Sequence, residues 1–203
     1  MDDLSIDPSQ LPGRDGYFLL TGLVVPRPIA WVSTIAASGT RNIAPHSFFN
    51  VVSARPPIVQ FVSSGVKDTL RNVRANSEFV VNIVGEDLLE QMNLTAADFP
   101  PDHDEFDWAD LAAVPSDTVR PVRVADAKAA LECSVRQILQ IGDAHMVFGD
   151  IRRIHVSGEI MHEGRVDPER LRPVGRLAGS HYSIVSEIVS IPRPTYADLE
   201  QAR

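Results

Sequence analysis

PRPIAWVST (residues 26–34), NIAPHSFFN (42–50), RPPIVQF (55–61) and SSGVKDTLRN (63–72) follow one another closely, and the fold turns on how they are read. Residues 29–36 read as a strand, because β-branched and aromatic side chains dominate them. Ser38-Gly39 sits where a hairpin turn belongs. Residues 48–53 read as a second strand and 58–63 as a third. The third puts Val59, Phe61 and Ser63 on one side and Ile58, Gln60 and Val62 on the other. Pro56-Pro57 marks its start, since proline brings no ladder donor. The run then empties into a serine-rich turn and Lys67-Asp68-Thr69. There Asp68 or Thr69 can cap a short helix over residues 70–76, with Leu70 and Val73 facing inward.

Upstream, residues 1–16 read as a polar, extended lead-in, and 17–25 as short apolar pieces broken by Thr21-Gly22. Downstream, 79–84 read as a strand and 86–97 as a helix with Leu88, Leu89 and Met92 on its apolar stripe. Residues 98–110 carry six acids around Pro100-Pro101, His103, Phe106 and Trp108. With the residues up to 116 they read as a surface excursion within one domain spanning 1–203. Two long strands, 130–139 and 146–156, flank Gly142-Asp143, a good hairpin turn. Residues 159–161 read as one more strand, Asp167-Pro168 as a helix start, and the tail 176–196 as a segment lying across the body. Many strands, few helices and no regular βαβ alternation predict a mainly β fold, an antiparallel barrel or sandwich.

Composition narrows the function. With 19 Lys and Arg against 27 Asp and Glu, the formal charge is −8. A chain this acidic lacks the basic face that nucleic acid needs. Cys133 is the one cysteine, so there is no internal disulfide framework and no cysteine-based metal site. No apolar run approaches the roughly 18 residues of a membrane span, and the N-terminus has no signal-like pattern, so a cytoplasmic protein is expected. Asp102, His103, Asp104 and Glu105 could in principle hold a metal, but no second histidine falls at ligand spacing, and a solvated acidic loop is expected. His145 and His155 share a strand face about 33 Å apart, too far for one ion. Mid-strand Cys133 reads as a small buried hydrophobe. There is no GxGxxG and no Walker loop.

Ser63, Ser64, Gly65, Lys67 and Thr69 supply what a phosphate needs: a helix N-terminus, hydroxyl donors, a close backbone approach and a positive charge. On their own they also read as a plain capped helix with a surface lysine, and capped helices are common. Ser33, Thr34, Asn42, Ser47 and Asn50 are small polar residues in or beside strands. They fit the polar edge of a flat heteroaromatic ring, or a half-exposed sheet face.

In that order and spacing, PRPIAWVST, NIAPHSFFN, the strand opened by Pro56-Pro57 and KDT-x-x-N together resemble the flavin reductase-like FMN-binding split-barrel family. It includes flavoredoxin and the reductase components of two-component monooxygenases. LECSVRQILQIGDAHMVFGDI (131–151) and RLAGSHY (176–182) resemble that family too. The resemblance implies an antiparallel Greek-key split β-barrel with a few short flanking helices. It implies that Pro28, Ala30, Trp31, Val32, Ser33 and Thr34 lie along a flavin, with Asn42, His46, Ser47 and Phe48 on its other side. Ser63, Lys67, Asp68 and Thr69 would gather at the phosphate, and Arg176, His181 and Tyr182 would come near the ring. His46 stands where an apolar or aromatic residue is expected, and Ala178 where glycine is frequent. The cofactor implied is FMN, with FAD possible, and the electron donor NAD(P)H. The partners implied are a second copy, as a homodimer, and an oxygenase or electron-transfer protein. The activity implied is hydride transfer from nicotinamide to flavin, which needs no acid–base pair. Two alternatives stand beside it: a flavoredoxin-like electron carrier with tightly held FMN and no nicotinamide site, and a non-catalytic split-barrel module.

Overall fold

The computed structural model describes residues 3–201. Seven strands build the main sheet: β1 (Ala30–Ile35), β2 (Arg41–His46), β3 (Phe49–Ala54), β4 (Pro57–Ser64), β5 (Glu78–Ile83), β6 (Ala129–Ile141) and β7 (Ala144–Val156). Their order is β2-β1-β5-β6-β7-β4-β3, antiparallel at every pairing. The outermost strands β2 and β3 are separated in sequence by Ser47 and Phe48 alone. Two residues cannot span an open sheet, so the sheet must roll until its edges meet. Val62 N donates to the carbonyl of Phe48 (2.9 Å) and the His46 ring meets the carbonyl of Val62 (3.1 Å), stitching the end of β2 to β4. Beyond that seam the two strands part, and the barrel is split there.

The interior follows from strand alternation. Ala30, Val32, Val59, Phe61, Phe79, Val81, Cys133 and Val147 fill the barrel, joined by Leu70 and Val73 of helix α2 (Asp68–Asn76, below). Phe61 and Phe79 meet edge to face at 5.2 Å. Gly149 on β7 makes room for this: a Cβ there would stand 2.3 Å from Phe79 Cζ. A second cluster lies on the outer face, where Ile29, Trp31, Ile43, Met92 and Phe106 pack under the later segments. Strand β1 is therefore buried on both faces.

Six α-helices flank the sheet in the described residues: α1 (Asp15–Leu23), α2, α3 (Leu89–Leu94), α4 (Glu105–Trp108), α5 (Pro168–Leu171) and α6 (Tyr196–Gln201). Helix α1 replaces the broken apolar pieces expected over 17–25, and a short 3-10 turn (Pro8–Gln10) lies within the expected lead-in. Gly16, Thr21 and Gly22 hide α1 from propensity; Arg27 holds it, donating to the carbonyls of Thr21 (2.6 Å) and Val24 (2.7 Å). Strand β2 was not foreseen as a strand, because Pro45 interrupts it; as a sheet edge it tolerates the missing donor. The helix expected over 86–97 divides into a 3-10 turn (Glu86–Leu88) and α3. Residues 159–161 are a 3-10 turn running into the two-residue strand Met161–His162, not a longer strand. The hairpin of β6 and β7 turns at Gly142-Asp143 as predicted, and Asp167 caps α5 through Glu169 N. No helix among the described residues is long and apolar enough to cross a membrane.

Candidate functional site

The site begins where β4 hands over to α2. Gly65 adopts φ +79°, a left-handed conformation that side chains resist. Ser63 Oγ donates to the carbonyl of Gly65 at 3.0 Å and fixes the turn. The cap position of α2 is Lys67, with Asp68 and Thr69 already inside the helix. Lysine has no acceptor to offer, so among the described residues no side chain caps α2. The usual N-terminal amides are left for a ligand or water. Asparagines dock the helix: Asn72 Nδ2 donates to Thr34 Oγ1 (3.0 Å) and Asn76 Nδ2 to the carbonyl of Ile35 (2.6 Å). Across the split, Asn42 Nδ2 donates to Thr69 Oγ1 at 3.2 Å.

The first turn of α2 lines a cavity of about 440 Å³, set in the split between β2 and β4. That volume suits a cofactor-sized ligand, for which roughly 300–1,000 Å³ is usual. Asn42 and His46 of β2, Ser47, Phe48, Ser63, Ser64 and Lys67 share its wall with Tyr17 of α1, residues 95–99 and Glu105 of α4. Arg27 supports one side: its Nε lies 3.5 Å from Ser47 Oγ and its guanidinium 5.9 Å from the Phe48 ring centre. Both cations on the wall are paired with carboxylates, Lys67 with Asp98 (2.6 Å) and Arg71 with Asp68 (2.5 Å). A second cavity of about 310 Å³ lies alongside and shares Asn42, Asp68 and Glu105 with the first.

Two groups on the wall, half-buried His46 and buried Glu105, carry unusual electrostatics. Burial lowers the His46 pKa to about 4, so its ring is neutral at physiological pH. A neutral ring beside a carbonyl carries its proton on Nδ1, which donates to Val62 O. Nε2 is then an acceptor, and it is buried with no partner among the described residues. Glu105 is 6% exposed, and burial pushes its carboxyl up to about 7.

The structure thus brings together Asn42, His46, Ser47, Phe48, Ser63, Lys67, Asp68 and Thr69. It places the other predicted residues off the cavity wall. Ala30 and Val32 fill the barrel. Trp31 donates from Nε1 to Thr95 Oγ1 (2.9 Å), which positions the cavity-lining segment 95–99. Ser33 Oγ is spent on the carbonyl of Val122 (2.6 Å), and Thr34 on Asn72. Pro28 pairs with Gly175. Arg176 lies over the Tyr182 ring at 4.5 Å and donates to the carbonyl of Gly179 (2.5 Å). Tyr182 OH donates to Asn93 (2.8 Å), and His181 closes a turn with Ala178 through its amide. Sequence reasoning missed Tyr17, Asp98 and Glu105. The first sits on the unforeseen helix, and the other two in a stretch read as solvated.

Asp102 pairs with its neighbour His103, and Asp104 and Asp107 hold Arg41 at 2.6 and 2.7 Å, so this acidic stretch is engaged in ion pairs. A different cluster, Asp117, Glu132 and His155, brings three ligand-type atoms within 4.8 Å. Its centre is already satisfied. Fully buried Glu132 accepts from Asp117 N (2.8 Å), Thr118 N (2.6 Å), Thr118 Oγ1 (2.5 Å) and His155 Nε2 (2.6 Å). Burial would raise its pKa, but these hydrogen bonds prevail and hold it at about 2. Cys133 is fully buried in the barrel, and burial pushes its thiol far up.

Residues 22–169 match the model of the flavin reductase like domain family. An uncharacterized protein of Aquifex aeolicus is 44% identical over 172 residues, 82% of this chain and 88% of that one. Nitrilotriacetate monooxygenase component B from Bacillus cereus superposes with a TM-score of 0.89 at 34% identity, over 94% of this chain and 100% of that one. The 2-nitrobenzoate 2-nitroreductase NbaA of Pseudomonas fluorescens does so with a TM-score of 0.87 at 34% identity, over 95% and 98%. The sheet rolled between β2 and β4 is a split barrel, and this chain belongs to the flavin reductase-like domain family.

Proposed function

We propose that this chain is an NAD(P)H-dependent flavin reductase that binds FMN in the split-barrel cavity. The observation that carries this reading is the uncapped start of α2 on the cavity wall, with Ser63, Ser64, Lys67 and Thr69 around it. Backbone amides at a helix start, hydroxyls and an ammonium on one wall are the kinds of donor that a phosphate takes. The residues fit a flavin in two further ways. Tyr17 and Phe48 give apolar ring surface at the mouth, and the buried Nε2 of His46 has no donor among the described residues, which a ligand N–H or O–H would supply.

In this reading α2 and Lys67 hold the phosphate, Asn42 and Ser47 orient the remainder, and Tyr17 and Phe48 exclude water. Neutral His46 accepts a hydrogen bond and adds no charge beside the ring. Bound flavin would supply the redox chemistry, as the acceptor of a nicotinamide hydride. The protein stacks and positions; no acid–base pair is required.

A homodimer belongs to the same proposal. Phe18, Leu20 and Leu23 of α1 are exposed, as are Val51 and Val52 of β3 and Val189 and Ile191 of the tail. A second copy seated on these side chains would take them out of water. Helix α1 carries Tyr17, so a second copy seated on it would stand beside the cavity. The likeness to a monooxygenase component supports an oxygenase as the consumer of reduced flavin. A second reading, favoured by the likeness to a nitroreductase, keeps the flavin bound and reduces a nitroaromatic acid directly.

Anaerobic stopped-flow mixing of the FMN-loaded protein with NADH or NADPH tests the proposal. Rapid bleaching of the yellow flavin is expected. Flavin that stays oxidised with both nucleotides refutes the reductase reading and leaves a carrier fed by a protein donor. Reoxidation by 2-nitrobenzoate in place of free flavin selects the second reading.

A further inference from the structure

Of the acids in residues 98–110, Glu105 is the buried one, while Asp98, Asp102 and Asp107 stand in solvent. It opens α4, and its neighbour Phe106 is fully buried, so the helix cannot turn the carboxylate outward without exposing that ring. Its Oε2 accepts from Ile43 N at 3.2 Å. No ion pair reaches it among the described residues, because Arg41 is held by Asp104 and Asp107. A buried carboxylate with so few donors is costly when ionised, and the neutral acid is favoured. The direction of its titration agrees: burial raises it to about 7, with Asp68 and Asp104 adding like charge. Glu105 lines the main cavity and, with Asn42 and Asp68 at the start of α2, forms the wall shared with the second cavity.

We propose that Glu105 is a proton-linked ligand contact: as the neutral acid it donates its O–H to an anionic oxygen of the ligand, so the cavity takes up a proton when it takes up a flavin phosphate. This rests on the flavin reading above. The proton comes from solvent, and no other bond is made or broken. Ionised, the same group would repel the phosphate across a desolvated wall.

The charged and titratable groups around it are these. Arg41 and His46 come from β2, Asp68 and Arg71 from α2, and Lys67 from the turn before it. Asp98 comes from the segment after α3, Asp104 and Asp107 from its own stretch with His103 before them, and Tyr17 from across the cavity. Ordinary carboxylates, lysines and arginines titrate outside roughly pH 7 to 9. The second ionisation of a phosphate monoester lies at about 6, so in that window the ligand is a fixed dianion.

FMN titrations by calorimetry, in two buffers of different ionisation enthalpy, read the proton directly. Wild-type protein is expected to take up most of a proton per FMN at about pH 8, and to lose affinity by up to about tenfold per pH unit above the titration of Glu105. Glu105→Gln, which mimics the neutral acid, is expected to bind FMN with no proton uptake and a flat pH profile. Riboflavin, which lacks the phosphate, is expected to bind wild-type protein without proton uptake. FMN bound by wild-type protein with no proton uptake overturns this inference and leaves the flavin reading standing. Uptake that persists in Glu105→Gln assigns the proton to a histidine and overturns it too, as does equal uptake with riboflavin. Failure of both proteins to bind FMN overturns the flavin reading along with it.

Discussion

Lys67 and Asp98 meet at 2.6 Å on the cavity rim, and the flavin reading makes them pull in opposite directions. If Lys67 holds a phosphate, Asp98 competes with that phosphate for the ammonium. Removing the lysine must then weaken FMN binding, and removing the aspartate must strengthen it. A charged hydrogen bond is worth about 1.5–3 kcal/mol. Lys67 falls short of that, because its side chain is 62% exposed and its charge is screened. Lys67→Ala is therefore expected to cost about 1–2 kcal/mol, or roughly 5- to 30-fold in Kd. Asp98→Ala, at an exposed group, is expected to tighten binding by about two- to fivefold. The double variant should bind like Lys67→Ala alone, since Asp98 acts only through the lysine. FMN fluorescence quenching at low and high salt measures all four proteins, and salt should shrink each difference. Weaker binding in Asp98→Ala, or an Asp98 effect that survives without the lysine, would refute the reasoning.

Three further outcomes concern the folded chain without ligand. Gly149→Ala puts a Cβ 2.3 Å from Phe79 Cζ and 3.1 Å from Cys133 Cβ. Such overpacking should cost about 1–3 kcal/mol by denaturant unfolding, and adding Phe79→Leu should recover part of it. Glu132 is held at about 2 against an ordinary 4.5, so its contribution to stability is complete above about pH 4.5 and drains as pH falls toward 2. Glu132→Gln should lose about 1.5–3 kcal/mol at neutral pH and flatten that acid limb in thermal melts. A limb of unchanged depth in the variant would assign it elsewhere. Glu105 behaves in the reverse sense. Its folded pKa of about 7 lies above the ordinary 4.5, so wild-type stability declines as pH rises from 4.5 to 7. Glu105→Gln should gain on wild type across that interval; parallel profiles would show a carboxylate ionised throughout.

What the residues revealed of this fold follows from which forces are local. Residues 59–63 alternate because β4 has one face on the barrel interior, and Gly142-Asp143 turns the long hairpin by its own chemistry. Both were legible. Helix α1 was not, because it is held by Arg27 reaching back to two of its carbonyls and not by propensity. Strand β2 was not, because it earns its place by pairing with β1 across a proline. The site divides the same way. The turn from Ser63 to Thr69 announces itself by residue type, and the structure puts it on the cavity. Ser33 and Thr34 look alike in sequence but lie on a strand buried on both faces, where their hydroxyls satisfy Val122 O and Asn72. Glu105 sits among acids of which Asp98, Asp102, Asp107 and Asp110 are exposed and Asp104 is half-buried against Arg41. Only the burial of Phe106 beside it, against residues far away in the chain, takes it out of water.

The cavity and the barrel have one cause. Ser47 and Phe48 join strands that stand at opposite edges of the sheet, and that short link forces closure at one end of the seam while β2 and β4 diverge beyond it. Because β4 ends at the divergence, the helix that follows must begin there, and Asn72 and Asn76 hold it against β1. A helix so placed presents its N-terminal amides to the gap. Serine, threonine, aspartate or asparagine at the cap would satisfy one of those amides internally. Lysine at position 67 leaves them open and adds a positive charge beside them. Lys67→Ser is therefore the substitution that separates folding from binding. It should stabilise α2 by supplying a cap, by about 0.5–1 kcal/mol, while weakening FMN. A variant that loses stability and ligand together would mean that the amides of α2 were never free.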